Sequence, residues 1–317
     1  VSPGSLRMLL ASSRRPLAAS RVTLAASRVL GRPPRAYSTP PLEYASECWL
    51  PTTWTPLTLT SRVAHTHDTS LLDFALPDDA SLDLPVCACI LLRAPGRGRR
   101  EGHAHEDAVR PYTPVSDSSL RGKFQLLVKR YAGGAASEYL HELPVGAAVD
   151  FRHVAFNLKA QYPFGGKQRI TMLAGGTGIT PMFQALRKLM GTPGDTREVT
   201  LVYSNKREED ILLRAELEAW AKMHAPRFKL VYVLGETASQ TTSAGWSSTD
   251  VYTATSGWID QAKVAQFCHP PSEETMVMVC GVPAMYEALC GPRQDRALAK
   301  GSVLEQMGYS DTMVAKM

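Results

Sequence analysis

Apolar and polar positions follow two different rhythms along this chain. Between residues 56 and 152 the repeat is short. Leu57-Thr-Leu-Thr60 alternates with period two, and Phe124-Gln-Leu-Leu-Val-Lys-Arg-Tyr131 is an apolar run rich in aromatic and β-branched members. Asp73-Phe-Ala-Leu-Pro77 and Val86-Cys-Ala-Cys-Ile-Leu-Leu92 are further candidate strands, and Arg110 lies in another. Many short strands separated by turn residues, with no long helical pattern, predict a barrel.

After Pro163-Phe-Gly-Gly-Lys167 the rhythm changes. Arg169–Ala174, Glu198–Tyr203, Phe228–Val233 and Met276–Cys280 read as buried strands. A helix is expected from Pro181 to about Met190, with proline in the first turn, where its missing N–H costs nothing. A second is expected over Glu208–Met223, with Ile211, Leu212, Leu217 and Trp220 facing inward. Strands alternating with helices predict a parallel sheet that binds ligands at the carboxyl ends of its strands. Residues 236–257 are rich in Ser and Thr and read as a surface loop.

Composition changes the picture mainly at the amino end. The formal charge of the 317 residues is +5, but residues 1–40 hold seven arginines and no acid, leaving 28 basic and 30 acidic residues from position 41 onward. The rest of the chain therefore lacks the basic footprint of a nucleic-acid binder. An acid-free segment rich in Arg, Ser, Ala and Leu predicts an organellar transit peptide, mitochondrial before chloroplast. Met8 is the expected start of translation and Arg35-Ala-Tyr-Ser-Thr39 the expected processing region. No run of 18 apolar residues is present, so membrane association is expected only peripherally or through a complex. The six cysteines do not form a disulfide framework for a chain of this size and are expected as thiols.

Three segments carry candidate chemistry. In Arg110-Pro-Tyr-Thr-Pro114, arginine offers a fixed fork of donors suited to a pyrophosphate, and Tyr112 offers a stacking face. In Gly175-Gly-Thr-Gly-Ile-Thr-Pro181, three glycines in four residues let the backbone approach a cofactor at a helix N-terminus. It is neither a G-x-G-x-x-G fingerprint nor a P-loop. Cys280-Gly-Val-Pro-Ala-Met285 places a cysteine at the end of an apolar strand. Between the first two, Gly133-Gly-Ala-Ala-Ser137 is a glycine turn into a short helix, suited to an anion, with Ser137 as a candidate N-cap. Cys87-x-Cys89 and His103-x-His105 have the residue types of zinc ligands but not their usual spacing, and no metal site is assigned to them.

These segments, with His67-Asp-Thr69, Val128-Lys-Arg-Tyr131, Asn205, Asp210-Ile-Leu-Leu213 and Gly308-Tyr309, recur in order over residues 56–314. In them the chain resembles the NADH–cytochrome b5 reductase family of ferredoxin-reductase-type flavoproteins, above all its plant and algal mitochondrial members. The resemblance implies two domains: an antiparallel β-barrel that binds FAD (56–162, after a linker at 41–55) and an α/β parallel-sheet, Rossmann-like domain that binds NADH (163–317). It implies that Arg110, Pro111, Tyr112, Thr113, Lys129, Tyr131, Gly134, Ala135, Ala136, Ser137 and Thr180 hold FAD. Gly175, Gly176, Thr177, Gly178, Cys280, Gly281, Pro283 and Met285 would hold NADH, with Cys280 near the nicotinamide. No side-chain acid or base is implied for the hydride step, since the cofactors do the chemistry. The implied partner is a cytochrome b5-like haem protein.

Three departures stand out. Gly134-Ala-Ala-Ser137 replaces the family's usual Gly-Lys-Met-Ser, removing a cation. Gly235, with Glu236 next, stands where the family often places an acid, so NADH is favoured and NADPH is not excluded. The chain ends Val314-Ala-Lys-Met317 instead of in aromatic residues. The altered turn and the missing aromatic tail motivate one alternative, a structural or assembly subunit of a mitochondrial complex on the same fold; a further reading keeps the enzyme as an NAD(P)H reductase with a non-haem acceptor.

Overall fold

In the computed structural model, which describes residues 48–98, 106–154, 160–235 and 247–317, six antiparallel strands are followed by a six-stranded sheet in which every pairing is parallel. The first sheet comprises β1 (Thr55–Ala64), β2 (Thr69–Ala75), β3 (Ile90–Ala94), β4 (Ala108–Tyr112), β5 (Lys123–Lys129) and β6 (Ala148–His153), in the order β4-β3-β6-β1-β2-β5. It curls: just beyond β4, Val115 N–H donates to Gln125 O on β5 at 2.9 Å, so the two end strands meet. Its interior is organised by Phe74, Phe124 and Phe151, whose ring centroids lie 4.8–5.5 Å apart. All three are fully buried, each burial contributing on the order of 2 kcal/mol. Helix α1 (Ala135–Glu142) covers one end, burying Ala136 and Leu140.

The second sheet contains β7 (Arg169–Gly175), β8 (Glu198–Asn205), β9 (Phe228–Leu234), β10 (Tyr252–Ser256), β11 (Thr275–Cys280) and β12 (Val314–Lys316), in the order β10-β9-β8-β7-β11-β12. The chain steps outward from β7 to β10 and then returns to the other side of β7. The order therefore reverses between β7 and β11, and ligands bind at such a switch point. Helix α2 (Ile179–Gly191) follows β7 with Pro181 in its first turn, as expected. Helices α3 (Arg214–Met223), α4 (Gln261–Phe267), α5 (Pro283–Leu289) and α6 (Val303–Gln306) complete the fold. Residues 45–317 form one unit. Among the described residues no helix is long and apolar enough to cross a membrane.

Several local expectations are corrected. The strand over Val86–Leu92 begins only at Ile90, because Cys87 sits at φ 66°, outside the extended region. The strand at Asp73–Pro77 is the end of β2, which stops at Ala75. The helix over Glu208–Met223 begins at Arg214: Glu208–Asp210 is a single 3-10 turn and Leu213 takes φ 56°. Ile211, Leu212 and Leu217 are buried as expected, and Trp220 packs on Phe183 at 4.8 Å. Within the expected loop at 236–257, Tyr252-Thr-Ala-Thr-Ser256 is an edge strand, its aromatic and β-branched residues outweighing its polarity. Residues 1–40, His103 and His105, Glu236 and residues 237–246 lie outside the described residues.

Candidate functional site

β4, paired with β3 so that Tyr112 faces Ile90, presents Pro111, Tyr112 and then Thr113 to a cavity of about 230 Å3. Burial raises the Tyr112 phenol, keeping it neutral. Arg110 stands outside the cavity wall, its guanidinium donating to Val109 O at 2.8 Å.

β5 supplies Leu127 and Lys129, and the turn beyond it supplies Tyr131 and Ser137. Ser137 lies inside the first turn of α1, and Gly134 is the N-cap, so the serine does not cap the helix. Its hydroxyl accepts from Tyr131 N–H and donates to Gly134 O, both at 3.2 Å, which folds the turn on itself. A Cβ at Gly134 would lie 2.4 Å from Ser137 Oγ and 2.9 Å from Tyr131 O, so the close approach requires glycine. Gly134, Ala135 and Ala136 do not line the cavity.

The opposite wall comes from the parallel sheet. Thr177, Gly178, Thr180 and Pro181 reach it from the turn into α2, and Cys280 and Gly281 from the end of β11. A Cβ at Gly178 would stand 2.1 Å from Cys280 O, so these two backbones touch at the switch point. Thr180 Oγ1 donates to Thr177 O at 3.2 Å and holds the turn. Gly175, Gly176, Pro283 and Met285 lie behind the wall. Met285 supports it, its sulfur falling 2.9 Å and 2.5 Å from where Cβ atoms at Gly175 and Gly281 would be.

Polar contacts join the two sheets around this cavity. Tyr131 Oη and Thr177 Oγ1 share a hydrogen bond of 3.0 Å. Gln184 on α2 accepts from Cys87 N–H at 2.8 Å and donates to Pro114 O at 2.7 Å, and Arg187 donates to Val115 O at 2.9 Å. Lys129 Nζ lies 2.9 Å from both Asp68 and Asp210. Burial works against its charge, but the bonds to Asp210 and Asp68 outweigh it and raise the ammonium above its ordinary value. His67, Asp68 and Asp210 bring ligand-type atoms within 4.8 Å of one another, and the Lys129 ammonium bonded to both carboxylates supplies their countercharge.

Of the residues singled out in the sequence, Pro111, Tyr112, Thr113, Lys129, Tyr131, Ser137, Thr177, Gly178, Thr180, Cys280 and Gly281 converge on one cavity. Sequence reasoning missed Cys87, Cys89, Leu127, Pro181, Tyr286, Arg293 and Met317 in the wall. Cys87 donates to Pro181 O at 3.4 Å, and burial pushes its thiol well up. Its left-handed backbone, at φ 66°, has no signature in the sequence. Met317 is held by Tyr286 Oη at 2.6 Å and Arg293 Nε at 2.5 Å, both donating to its carbonyl.

The same two halves appear in comparisons with known proteins. Residues 56–157 match the oxidoreductase FAD-binding domain and residues 172–291 the oxidoreductase NAD-binding domain. An NADH-cytochrome b5 reductase 2 from Emericella nidulans is 35% identical over 83% of this chain and 77% of its own length. An NADH-cytochrome b5 reductase 1 from Dictyostelium discoideum is 38% identical over 71% of this chain and 72% of its own. This chain belongs to the NADH-cytochrome b5 reductase family. Among solved structures, the cytochrome b5 reductase domain of Ulva prolifera nitrate reductase superposes with a TM-score of 0.68, at 30% identity over 83% of this chain and 97% of that one. The chain is thus an oxidoreductase built from an FAD-binding and an NAD-binding domain.

Both groups fit the residues present. Lys129 and Ser137 line the cavity on the barrel side, and Thr177 and Gly178, from the turn into α2, line it on the other. The half-buried Tyr112 offers a ring face between them.

Proposed function

We propose that this chain takes hydride from NADH onto FAD and hands electrons one at a time to cytochrome b5 or a similar haem protein. One observation carries the reading: a single cavity is walled by Tyr112 and Thr113 from the FAD-binding domain and by Gly178 and Cys280 from the NAD-binding domain. FAD, when bound, supplies the two-electron to one-electron conversion. The chain's own residues bring the donor and acceptor faces together. Tyr112 and Thr113 would orient the flavin on the barrel side, while Gly178 and Cys280, whose backbones touch at the switch point, would hold the nicotinamide at the sheet edge. The apolar flank of Leu127, Pro181 and Met317 excludes water from the transfer. The bond between Tyr131 and Thr177 fixes the two walls against each other. The mechanism requires no titrating side chain at the hydride step, and the high Tyr112 phenol keeps a proton donor, not a charge, in the cavity wall.

The acceptor is inferred from relatives named NADH-cytochrome b5 reductase. The arginine-rich, acid-free residues 1–40 support delivery to mitochondria, with peripheral membrane or complex association through a partner. An anaerobic visible spectrum of the purified chain tests the reading. A bound-flavin spectrum bleached by NADH and restored by oxidised cytochrome b5, more slowly at high salt, is expected. A chain that stays colourless after mixing with FAD refutes it and revives the structural-subunit alternative. Fusing residues 8–40 to a reporter tests location separately, and diffuse cytosolic signal would remove the mitochondrial assignment.

A further inference from the structure

The β3–β4 pair ends where the cavity begins. Its last paired residues are Ile90 and Tyr112, and Tyr112 stands in the cavity wall. Past that rung the two strands part. Cys87 sits at φ 66°, outside the extended region, and Val115 N–H turns away to Gln125 O on β5. Cys87 N–H and Pro114 O are thereby left without a partner in the ladder, although both residues are buried. Buried backbone groups cost stability unless something else pairs them.

Gln184 pairs both. Its Oε1 accepts from Cys87 N–H at 2.8 Å, and its Nε2 donates to Pro114 O at 2.7 Å. The amide can face only this way, since the N–H can only donate and the carbonyl can only accept. A side-chain amide has the donor and acceptor of a peptide group, so it serves as one more rung across the open end of the pair. This rung comes from the other half of the molecule. Gln184 lies on α2, whose first turn brings Thr180 and Pro181 to the opposite wall, just after Thr177 and Gly178. From its N-cap, Gly178, to Gln184 the helix rises about 9 Å. One rigid helix therefore carries the NAD-side wall at its start and grips the edge of the FAD-side wall further along. Arg187 adds a bond to Val115 O on the β4 side, whereas Gln184 holds the β3 and β4 sides at once.

We propose that Gln184 is a positioning residue for hydride transfer: by closing the β3–β4 end from α2, its amide sets the spacing between the Tyr112–Thr113 wall and the Thr177–Pro181 wall. The proposal rests on the hydride-transfer reading above and names the residue that spaces its two faces. Transfer depends on position at the scale of an ångström. A clamp that served folding alone would govern stability and cofactor retention together. A spacer governs the transfer rate of the loaded chain.

The test uses the full FAD-loaded chain and Gln184→Met, which keeps the length of the side chain and loses both bonds. FAD dissociation is followed by flavin fluorescence. NADH binding and the limiting rate of flavin reduction come from anaerobic stopped flow, and the flavin's surroundings from visible circular dichroism. The limiting rate is expected to fall about 100-fold, with an altered dichroism spectrum. The dissociation constants of FAD and NADH stay within about threefold of the parent's, because most of the wall residues are untouched. Gln184→Glu keeps the bond from Cys87 N–H but sets a carboxylate against Pro114 O at pH 7.5, and it slows the same step. Should Gln184→Met not fold, Gln184→Glu decides by the same measurements. A limiting rate within about threefold of the parent overturns the proposal. So does a slower rate matched by an equal loss of FAD and NADH affinity, which marks a clamp for folding alone. A parent chain that binds FAD but is not reduced by NADH overturns the underlying reading, whatever Gln184 does.

Discussion

Replacing Lys129 by methionine tests what holds the two sheets together beside the cavity. Its ammonium sits 2.9 Å from Asp68 on the β1–β2 turn and 2.9 Å from Asp210 after β8. The lysine side chain is 19% exposed, Asp68 25% and Asp210 9%, so all three are partly shielded from water. Methionine keeps most of the stem and removes only the charge. Two carboxylates with oxygens within 4.8 Å are then left facing each other. At an effective dielectric of about 20 their repulsion is on the order of 3 kcal/mol, in line with the roughly 3–5 kcal/mol seen when one partner of a buried pair is removed. About 2–3 kcal/mol is the expected loss at pH 7.5, the sites being partly exposed. The loss depends on pH in a definite direction. In the parent chain Asp68 titrates below its ordinary value: burial opposes this, but the bonds from Lys129 and Thr69 prevail. A depressed folded value contributes stability that is present above the unfolded value and lost as pH falls through the folded one. Without Lys129, Asp68 loses the bond and the charge that hold it down and takes a proton more readily, so most of the penalty disappears near pH 4.5. Urea unfolding at pH 7.5 and 4.5, with FAD saturating in both chains, measures the difference. Lys129→Met with Asp210→Asn closes the cycle and recovers most of the loss at pH 7.5. A loss under about 0.5 kcal/mol, or one equal at the two pH values, refutes the reasoning.

Gly178→Ala drives a Cβ to within 2.1 Å of Cys280 O and must part the switch point. Flavin reduction by NADH is expected to slow about 100-fold, the effect of a misplacement on the order of 1 Å. FAD binding, on the other sheet, persists, and Gly191→Ala, with open space around it, serves as control. A rate within about threefold of the parent would sink this account of the turn. The parent chain also loses stability on mild acidification at His65, whose Nε2 accepts from Leu213 N–H at 3.0 Å. Burial lowers His65 below its ordinary 6.5, so this contribution is complete above 6.5 and is lost as pH falls from there toward the folded value. His153, His224 and His269 shift the same way, so the informative quantity is the difference between parent and His65→Phe. That difference shrinks between pH 7.5 and 5.5, and parallel unfolding curves would contradict it.

What the sequence disclosed, and what it withheld, divides along one physical line. Features set by short-range chemistry were legible: the period-two strands, the proline in the first turn of α2, and the glycines that two backbones must approach. So were the cavity residues that arrive on such features, from Tyr112 to Cys280. Features set by tertiary closure were not. Leu213 adopts φ 56° where the apolar spacing of Ile211, Leu212 and Leu217 continues a helix, and its N–H turns to His65 across the seam. Cys87 reads as a strand residue until its N–H is seen bonded to Gln184, 97 positions away. Both sites spend local backbone preference on a contact between the two sheets, and one-dimensional pattern carries no trace of that exchange.

The same division explains why the cavity wall was half found. Each motif brings one face, but the faces become a site only when the parallel sheet is clamped to the barrel: Lys129 and Tyr131, reached through the family resemblance, supply two clamps, and Gln184 and Arg187, which no motif marks, supply two more. Their spacing has no periodicity to detect, since each partner comes from another element. Hydride transfer is sensitive to position on the scale of an ångström, so these clamps govern the reaction as much as the glycine turns do. Tyr131 is the sharpest instance. It is 44% exposed and buries little apolar surface, yet its hydroxyl spans from the FAD-binding wall to Thr177 in the NAD-binding turn. Its contribution to the site is therefore the bond that positions the two walls, not its packing.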